Sequence, residues 1–343
     1  MTPLIIPPIT DLSVYLREPG MSHKSTIAQT QTLALAAGVG RMAVQPETRP
    51  VTDSPQTVAF VLERARAVHG VEVLLLGALT KQLEGVELAE MVALQRAGCV
   101  GISNAGRGLP PLQVLRRALK YAGSLGLTVH LQAIDRALSA AGVAHAGQVA
   151  TRMGLVGIPE SAETCALAAI IELVRETGCR VHVGRLSCAR SVELIARAKA
   201  DRLTLSCDVA WRQLYFTEIE LIGFDAQMHV VPPLRTHKDR MALLDGVASG
   251  VIDAICSDHQ PHDVDAKLAP FPSTEAGRAD MPLLLKQTLK LVVEGYVPLA
   301  RALDAIGARP DWILGQSQPP PGLLELDLDH LEAPLKYLPL QNA

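Results

Sequence analysis

The chain has 343 residues, 48% of them hydrophobic and only 3% aromatic, with 32 basic against 35 acidic side chains and a formal net charge of −3. That length suits one large domain with additions, and the interspersed, nearly balanced charges exclude the basic footprint of a nucleic-acid binder or of a protein held on an anionic membrane. The six cysteines (Cys99, Cys165, Cys179, Cys188, Cys207, Cys256) include no CxxC pair, no stretch approaches the ~20 apolar residues of a membrane span, and the N-terminus has no leader pattern, so a cytoplasmic protein with reduced thiols is expected.

From the N-terminus, short apolar or β-branched runs alternate with amphipathic segments of helical period. Strands are expected over 9–16, 40–44, 71–76 and 99–103, followed in turn by helices over 25–37, 57–68, 88–97 and 112–125. A strand over 128–132 leads into a Gly- and Ala-rich insertion, 138–160, expected to loop over one rim before a helix over 162–176. Strands over 180–185, 203–209 and 254–257 complete the series, with helices over 191–199 and 238–249. Eight strands, nearly all followed by a helix, predict an α/β fold: a parallel sheet closed into a (β/α)8 TIM barrel. An open doubly wound sheet is the competing architecture, but no GxGxxG follows the first strand. The barrel is expected over 1–315. Pro319-Pro320-Pro321 ends it, and 316–343 form a tail that packs on the barrel or is partly disordered.

In such a barrel the chemistry lies at the C-terminal ends of the strands. Strand one ends in Asp11-Leu12-Ser13-Val14-Tyr15-Leu16-Arg17-Glu18-Pro19-Gly20, and strand eight in Ser257-Asp258-His259-Gln260-Pro261-His262. These segments resemble the DLHVHLREPG and SDHAPH motifs of the dihydroorotase family, in the amidohydrolase superfamily. Residues 48–55, Gly77-Ala78-Leu79-Thr80-Lys81 and Pro232-Pro233-Leu234-Arg235 resemble further family segments in the same order. The resemblance covers nearly the whole barrel. It implies an amidohydrolase-type barrel and, in active members, zinc-assisted hydrolysis of a cyclic amide.

Residue by residue, the resemblance implies that this metal site is degenerate. Ser13 and Tyr15 stand for the two strand-one histidines, Asn104 and Ala105 for the acidic pair after strand four, Gln132 for the strand-five histidine and Arg185 for the strand-six histidine. Only Asp258 is kept. Hydroxyls and an amide are poor zinc ligands at neutral pH, and a guanidinium repels the cation. The expectation is no metal, no cofactor and no catalytic residue beyond a vestigial Asp258, with Arg185 pairing with Asp258 in the space the metals hold in active members. A mononuclear site on Asp258, His259 and His262 is the alternative; the plainer reading is that these groups hydrogen-bond the strand-eight loop.

Arg17 and His262 match the family's grip on the substrate carboxylate and are candidates for residual ligand binding; Arg17 could equally make a rim salt bridge with Glu18. Glu47 and Val231 stand where the family has Asn, which would impair dihydroorotate recognition. His130 is expected to face inward as a satisfied core histidine, and His182, of opposite parity to Arg185, to pack against a helix. His23, His69, His145, His229, His237 and His330 read as surface or loop residues. Family members usually carry a small β-sandwich beside the barrel, which here is expected to be missing or vestigial. The sequence is similar to the family's non-catalytic branch, in which the strand-one histidines are lost and Ser-Asp-His-Gln-Pro-His is kept. That likeness implies a structural or regulatory partner of the aspartate carbamoyltransferase catalytic chain in pyrimidine biosynthesis, and a homodimer. A weak metal-dependent dihydroorotase and a non-catalytic sensor of a pyrimidine intermediate stay open as alternatives.

Overall fold

A computed structural model of the chain describes residues 4–328, 330–331 and 335–338. All eight expected barrel strands form, with ends displaced by no more than two residues: β2 (Ile9–Val14), β3 (Val39–Val44), β4 (Glu72–Ala78), β5 (Cys99–Ser103), β6 (Thr128–Gln132), β9 (Val181–Gly184), β10 (Leu205–Ala210) and β11 (Ala254–Cys256). They lie in the order β11-β10-β9-β6-β5-β4-β3-β2, and each neighbouring pair is parallel. The two outer strands meet at their C-terminal ends, where Tyr15 N donates to His259 O and His259 N donates to Ser13 O, both at 2.9 Å. The sheet is thereby closed, and its edges have backbone partners instead of water.

Local chemistry sets where the covering helices begin and end. Thr26 and Gln29 form a capping box at the start of α1 (Ile27–Ala36), Ser54 caps α2 (Pro55–Arg66) with a proline at its first position, and Thr236 with Asp239 caps α8 (His237–Ser249). α3 (Met91–Ala97) and α6 (Ser161–Thr177) end on left-handed Gly98 and Gly178. α4 (Leu112–Ser124) and α7 (Ala189–Ala200) bury Leu115, Leu119 and Ile195 against the outer face of the sheet, where Ile102, Val129, Val181 and Val209 form one continuous core.

One layer of the barrel interior is built mainly from small side chains. Ala43, Ala210, Ala254 and Cys256 surround Leu12, and Ile313 and Leu314 close the layer from the N-terminal end. These two residues sit at the end of α11 (Ala308–Ile313), which follows α9 (Leu284–Val293) and α10 (Leu299–Ile306). Asp311 of α11 accepts from Thr10 Oγ1 at 2.6 Å and from Arg41 Nη1 at 2.5 Å, a buried polar clasp at the barrel floor.

Two segments are more ordered than the sequence patterns foretold. The insertion holds a parallel pair, β7 (Ala144–His145) with β8 (Gly157–Ile158), around α5 (Gln148–Met153). It has its own core of Ala144, Ala150 and Leu155, which packs on Leu221 and Phe271 of the rim. In the tail, β12 (Leu323–Leu326) lies antiparallel between β1 (Leu4–Ile6) and β13 (Lys336–Leu338), joining the two ends of the chain in a three-stranded sheet. The remainder of the tail expectation, at 329, 332–334 and 339–343, lies outside the described residues. Among the described residues no helix is long and apolar enough to cross a membrane.

Candidate functional site

The C-terminal ends of the strands converge on one side chain, Arg185, which is 4% exposed. Its Nη1 donates to Tyr15 Oη at 2.6 Å and to Asp258 Oδ1 at 2.8 Å, with Ser13 Oγ at 3.4 Å; its Nη2 donates to Gln132 Oε1 at 2.7 Å, with Ala105 O at 3.5 Å. Five of the other six degenerate positions therefore meet at one guanidinium. The sixth, Asn104, braces the shell from behind: its Oδ1 accepts from Gln132 N at 3.1 Å and its Nδ2 donates to Gly108 O at 3.0 Å. The expected pair between Arg185 and Asp258 forms.

Three of these residues have left-handed backbones, Ala105 (φ 50°), Arg185 (φ 60°) and Asp258 (φ 52°). Such conformations cost non-glycine residues of order 1 kcal/mol each and persist where the surroundings over-determine them, as at active sites. A Cβ at Gly106 would lie 3.3 Å from Gln132 Oε1 and 3.4 Å from Tyr15 Oη, so this residue borders the same shell.

Burial pushes the Tyr15 phenol up to about 12, so at neutral pH it is a neutral acceptor for the guanidinium. Burial opposes the charge on Arg185, but the facing Tyr15 and Asp258 oxygens outweigh it and raise its pKa well above the ordinary value. Asp258 is completed by Ser13 Oγ at 3.2 Å and Gln260 Nε2 at 3.1 Å. Below Arg185 lies a cavity of about 10 Å³ bordered by Gln45, Ser103, His130, His182 and Asp208. That is room for about one water and none for a cyclic amide.

The floor of this cavity was only partly foreseen. His182 was expected to pack against a helix; instead its Nε2 lies 2.9 Å from Asp208 Oδ2 and its Nδ1 2.9 Å from Ser206 Oγ, inside the barrel. The parity argument fails because Arg185 leaves the extended conformation, so alternation does not carry through to it. His130 is buried and inward as expected, but it is not satisfied among the described residues: its Nε2 makes no hydrogen bond to them, and its ring lies 5.2 Å from that of His182. Burial, then His182, pushes it down to about 3. Asp208 was not singled out from sequence. Burial would raise its pKa, yet the bonds from His182 and from Arg185 N, at 2.6 Å, hold it below the ordinary value. Its signal was present, since Ser206 and Asp208 alternate with apolar Leu205, Cys207 and Val209 along β10. Asp11 was also missed; it accepts from Ser257 N at 3.0 Å and from the Ser257 hydroxyl, tying strand one to strand eight, and burial raises it to about 6.

The two candidate anion-binding residues are engaged within the chain. Arg17 Nε donates to Pro261 O at 3.0 Å, and the rim salt bridge to Glu18 does not form: Glu18 accepts from Ile27 N at 2.9 Å and faces Arg64. His262 donates from Nε2 to Ala276 O at 2.9 Å, while its Nδ1 lies 3.3 Å from Lys24 Nζ; burial, then Arg17, pushes it down to about 4. His259 Nδ1 accepts from Met281 N at 3.3 Å, so both histidines serve the strand-eight loop. Glu47 pairs with Arg107 at 2.6 Å. Two histidines read as surface or loop residues are buried: His145 accepts from Arg235 Nη1 at 3.0 Å, and His229 bonds Thr274 Oγ1 at 2.8 Å. His23, His69, His237 and His330 are exposed as expected.

The donor set does not suit a dinuclear zinc centre. Two neutral hydroxyls, an amide and a guanidinium surround one carboxylate already in an ion pair. Among the described residues no three His, Cys, Asp or Glu side chains converge as metal ligands.

Eight parallel strands with their polar groups gathered at the C-terminal ends define a (β/α)8 barrel of the amidohydrolase type. Solved structures agree on this fold. The L-hydantoinase (dihydropyrimidinase) from Arthrobacter aurescens superposes with a TM-score of 0.83 at 20% identity, covering 94% of this chain and 76% of that one. A D-hydantoinase (dihydropyrimidinase) from Thermus sp. gives 0.77 at 17% identity, covering 95% and 76%. The family model described as dihydro-orotase-like matches residues 2–191. A dihydroorotase-like protein of Pseudomonas aeruginosa is 44% identical over 304 residues, 89% of this chain and 72% of the relative; one from Pseudomonas putida is 45% identical over the same shares. A dihydroorotase of Geobacter sp. (strain M21) is 36% identical over 312 residues, 91% of this chain and 73% of the relative. The chain belongs to the dihydroorotase-like family, whose activity is hydrolysis of a cyclic amide.

Proposed function

We propose that this chain is a non-hydrolysing member of the family that acts through its surface, as a structural or regulatory partner of the aspartate carbamoyltransferase catalytic chain. The observation that carries the first half is the Arg185 guanidinium, bonded at once to Tyr15, Gln132 and Asp258 where the family places its metals. A guanidinium keeps its charge at every accessible pH, repels a divalent cation and offers no lone pair to a proton or a carbonyl. The side chains around it supply no substitute nucleophile: Tyr15 stays protonated, and the Asp258 carboxylate that would activate Ser13 is held by the guanidinium. The second half rests on the resemblance to the family's non-catalytic branch, carried by the loss of the strand-one histidine pair together with retention of Ser257-Asp258-His259-Gln260-Pro261-His262.

The test takes the purified chain alone and mixed with the aspartate carbamoyltransferase catalytic chain of the same organism. Dihydroorotate hydrolysis, followed with and without added zinc or manganese, is expected to stay at the blank rate. Size-exclusion chromatography with light scattering is expected to give a complex of fixed stoichiometry at micromolar concentrations. Metal-dependent turnover would refute the first half, and two species eluting independently would refute the second.

A further inference from the structure

The rim carries a cleft that the plugged mouth does not use. It opens beside Gln132, between the loop after β5, the segment after β6 and the Pro232-Pro233 turn, and its volume is about 240 Å³. Arg107, Arg136 and Arg235 all line it. The Arg235 side chain is 2% exposed; its Nε donates to Ser187 Oγ at 2.7 Å and its Nη1 to His145 Nδ1 and to Ile158 O. Its Nη2 makes no hydrogen bond among the described residues, and Glu163 Oε2 stands off at 3.8 Å because that carboxylate is turned to the backbone and hydroxyl of Ser187. Arg107 is matched by Glu47. Arg136 is exposed, donates from Nε to Arg107 O at 2.7 Å and has no ion pair among the described residues.

With the Arg235–Glu163 and Arg107–Glu47 charges cancelling, the cleft keeps the positive charge of Arg136 and, in Arg235 Nη2, a guanidinium nitrogen that makes no hydrogen bond among the described residues. The remaining wall is apolar, built from Ile134, Ile158, Pro232 and Pro233. A guanidinium nitrogen free to donate into a cleft is met most strongly by an anion, because the hydrogen bond is then charge-assisted. The volume lies just under the roughly 300–1,000 Å³ of pockets that take drug-sized ligands, which suits a single ring and excludes a nucleotide.

We propose that this cleft binds a small organic anion, a flat ring bearing a carboxylate or a phosphate, with the charge met by Arg136 and Arg235 and the ring resting on Pro232, Pro233 and Ile158. The site is separate from the Arg185 plug, so it stands whether or not the chain hydrolyses a cyclic amide.

Benzoate and phenyl phosphate are the probes, titrated into the purified chain by calorimetry at low salt. At least one is expected to bind with a Kd of about 1 mM or tighter, and the preferred probe distinguishes a carboxylate from a phosphate ligand. Arg136→Glu and Arg136→Gln should each weaken that binding by at least about tenfold, the loss expected for one charge-assisted contact. Both should leave the melting temperature unchanged, since the side chain is exposed. Arg49→Glu, on an exposed loop outside the cleft, changes the net charge equally and should leave the affinity unchanged. The inference is overturned if neither probe binds up to about 10 mM, if both Arg136 variants bind as the parent does, or if Arg49→Glu loses as much as Arg136→Glu.

Discussion

Replacing Arg185 with Met tests the organisation of the site directly. Met retains a long apolar stem but removes every hydrogen bond to Tyr15, Gln132 and Asp258. Asp258, 7% exposed, would keep only Ser13 Oγ and Gln260 Nε2 as partners. Removing one member of a buried ion pair costs about 3–5 kcal/mol, because the other charge is left without compensation. With an unfolding entropy of about 2.1 cal/mol/K per residue, a chain of this length should lose roughly 4–7 °C in Tm. Thermal unfolding followed by circular dichroism at neutral pH measures this. The double variant Arg185→Met with Asp258→Leu removes both charges, and apolar replacement of a whole buried pair is close to neutral. The double variant should therefore recover most of the loss, giving a large coupling term in the double-mutant cycle. A Tm for Arg185→Met within about 1 °C of the parent, or a double variant as unstable as the two single losses summed, would refute the view that the guanidinium holds the strand ends together.

Restoring histidines at strand one, Ser13→His with Tyr15→His, is expected to give no zinc-dependent hydrolysis of dihydroorotate, because Arg185 still occupies the position between them and Gln132; turnover above the blank would contradict this. Asp311→Ala should destabilise the chain by about 1–3 kcal/mol in urea unfolding, since it removes the shared buried acceptor of Thr10 and Arg41 while Arg41 keeps Glu72 and Gln318 O, and a loss under about 0.5 kcal/mol would show the clasp to be solvated. His130 and His259 are held neutral in the fold, pushed from 6.5 down to about 3 by burial, so the stability they contribute is complete above pH 6.5 and is lost as the pH falls below it. Between pH 7 and 5 the two together should cost about 4 kcal/mol. Asp11, raised from 3.8 to about 6, acts oppositely: the fold takes up its proton first, and about 1 kcal/mol is regained as the pH falls through 6. Urea midpoints should drop between pH 7 and 5 and drop further in Asp11→Asn; a midpoint that rises would reverse the assignment. Of the six thiols only Cys165 is exposed, and burial pushes Cys99 and Cys188 up to about 12. The native chain should accordingly show one fast-reacting thiol with a disulfide reagent and six in denaturant.

The barrel was legible because its strands are parallel and covered on both faces, so each reads as a short apolar run bounded by turn residues. The degenerate positions were legible because strand-end motifs hold a fixed register: Ser13 and Tyr15 stand two apart near the end of strand one, and Asp258 follows Ser257 at the end of strand eight. The missed features depend on partners distant in sequence. His145 is buried because Arg235 donates to it, and His229 because Thr274 and the Phe271 ring cover it. The insertion folds because Leu221 and Phe271 of other loops complete its core. Helical period alone does not indicate that α11 would close the barrel floor through Arg41 and Thr10.

Residue identity, matched to the family's strand-end motifs, determined that a divalent metal would meet hydroxyls, an amide and a guanidinium at these positions, since donor chemistry belongs to the side chain in any fold. The pair of Arg185 with Asp258 was likewise an expectation from the sequence; only the tertiary structure decided that Tyr15 and Gln132 close around the same guanidinium. The acceptors around Arg185 come from the ends of β2, β6 and β11, and a left-handed backbone at residue 185 turns its side chain toward all three. Strand periodicity fixes direction only while the backbone stays extended, so it could not foresee that turn or place His182 beneath it.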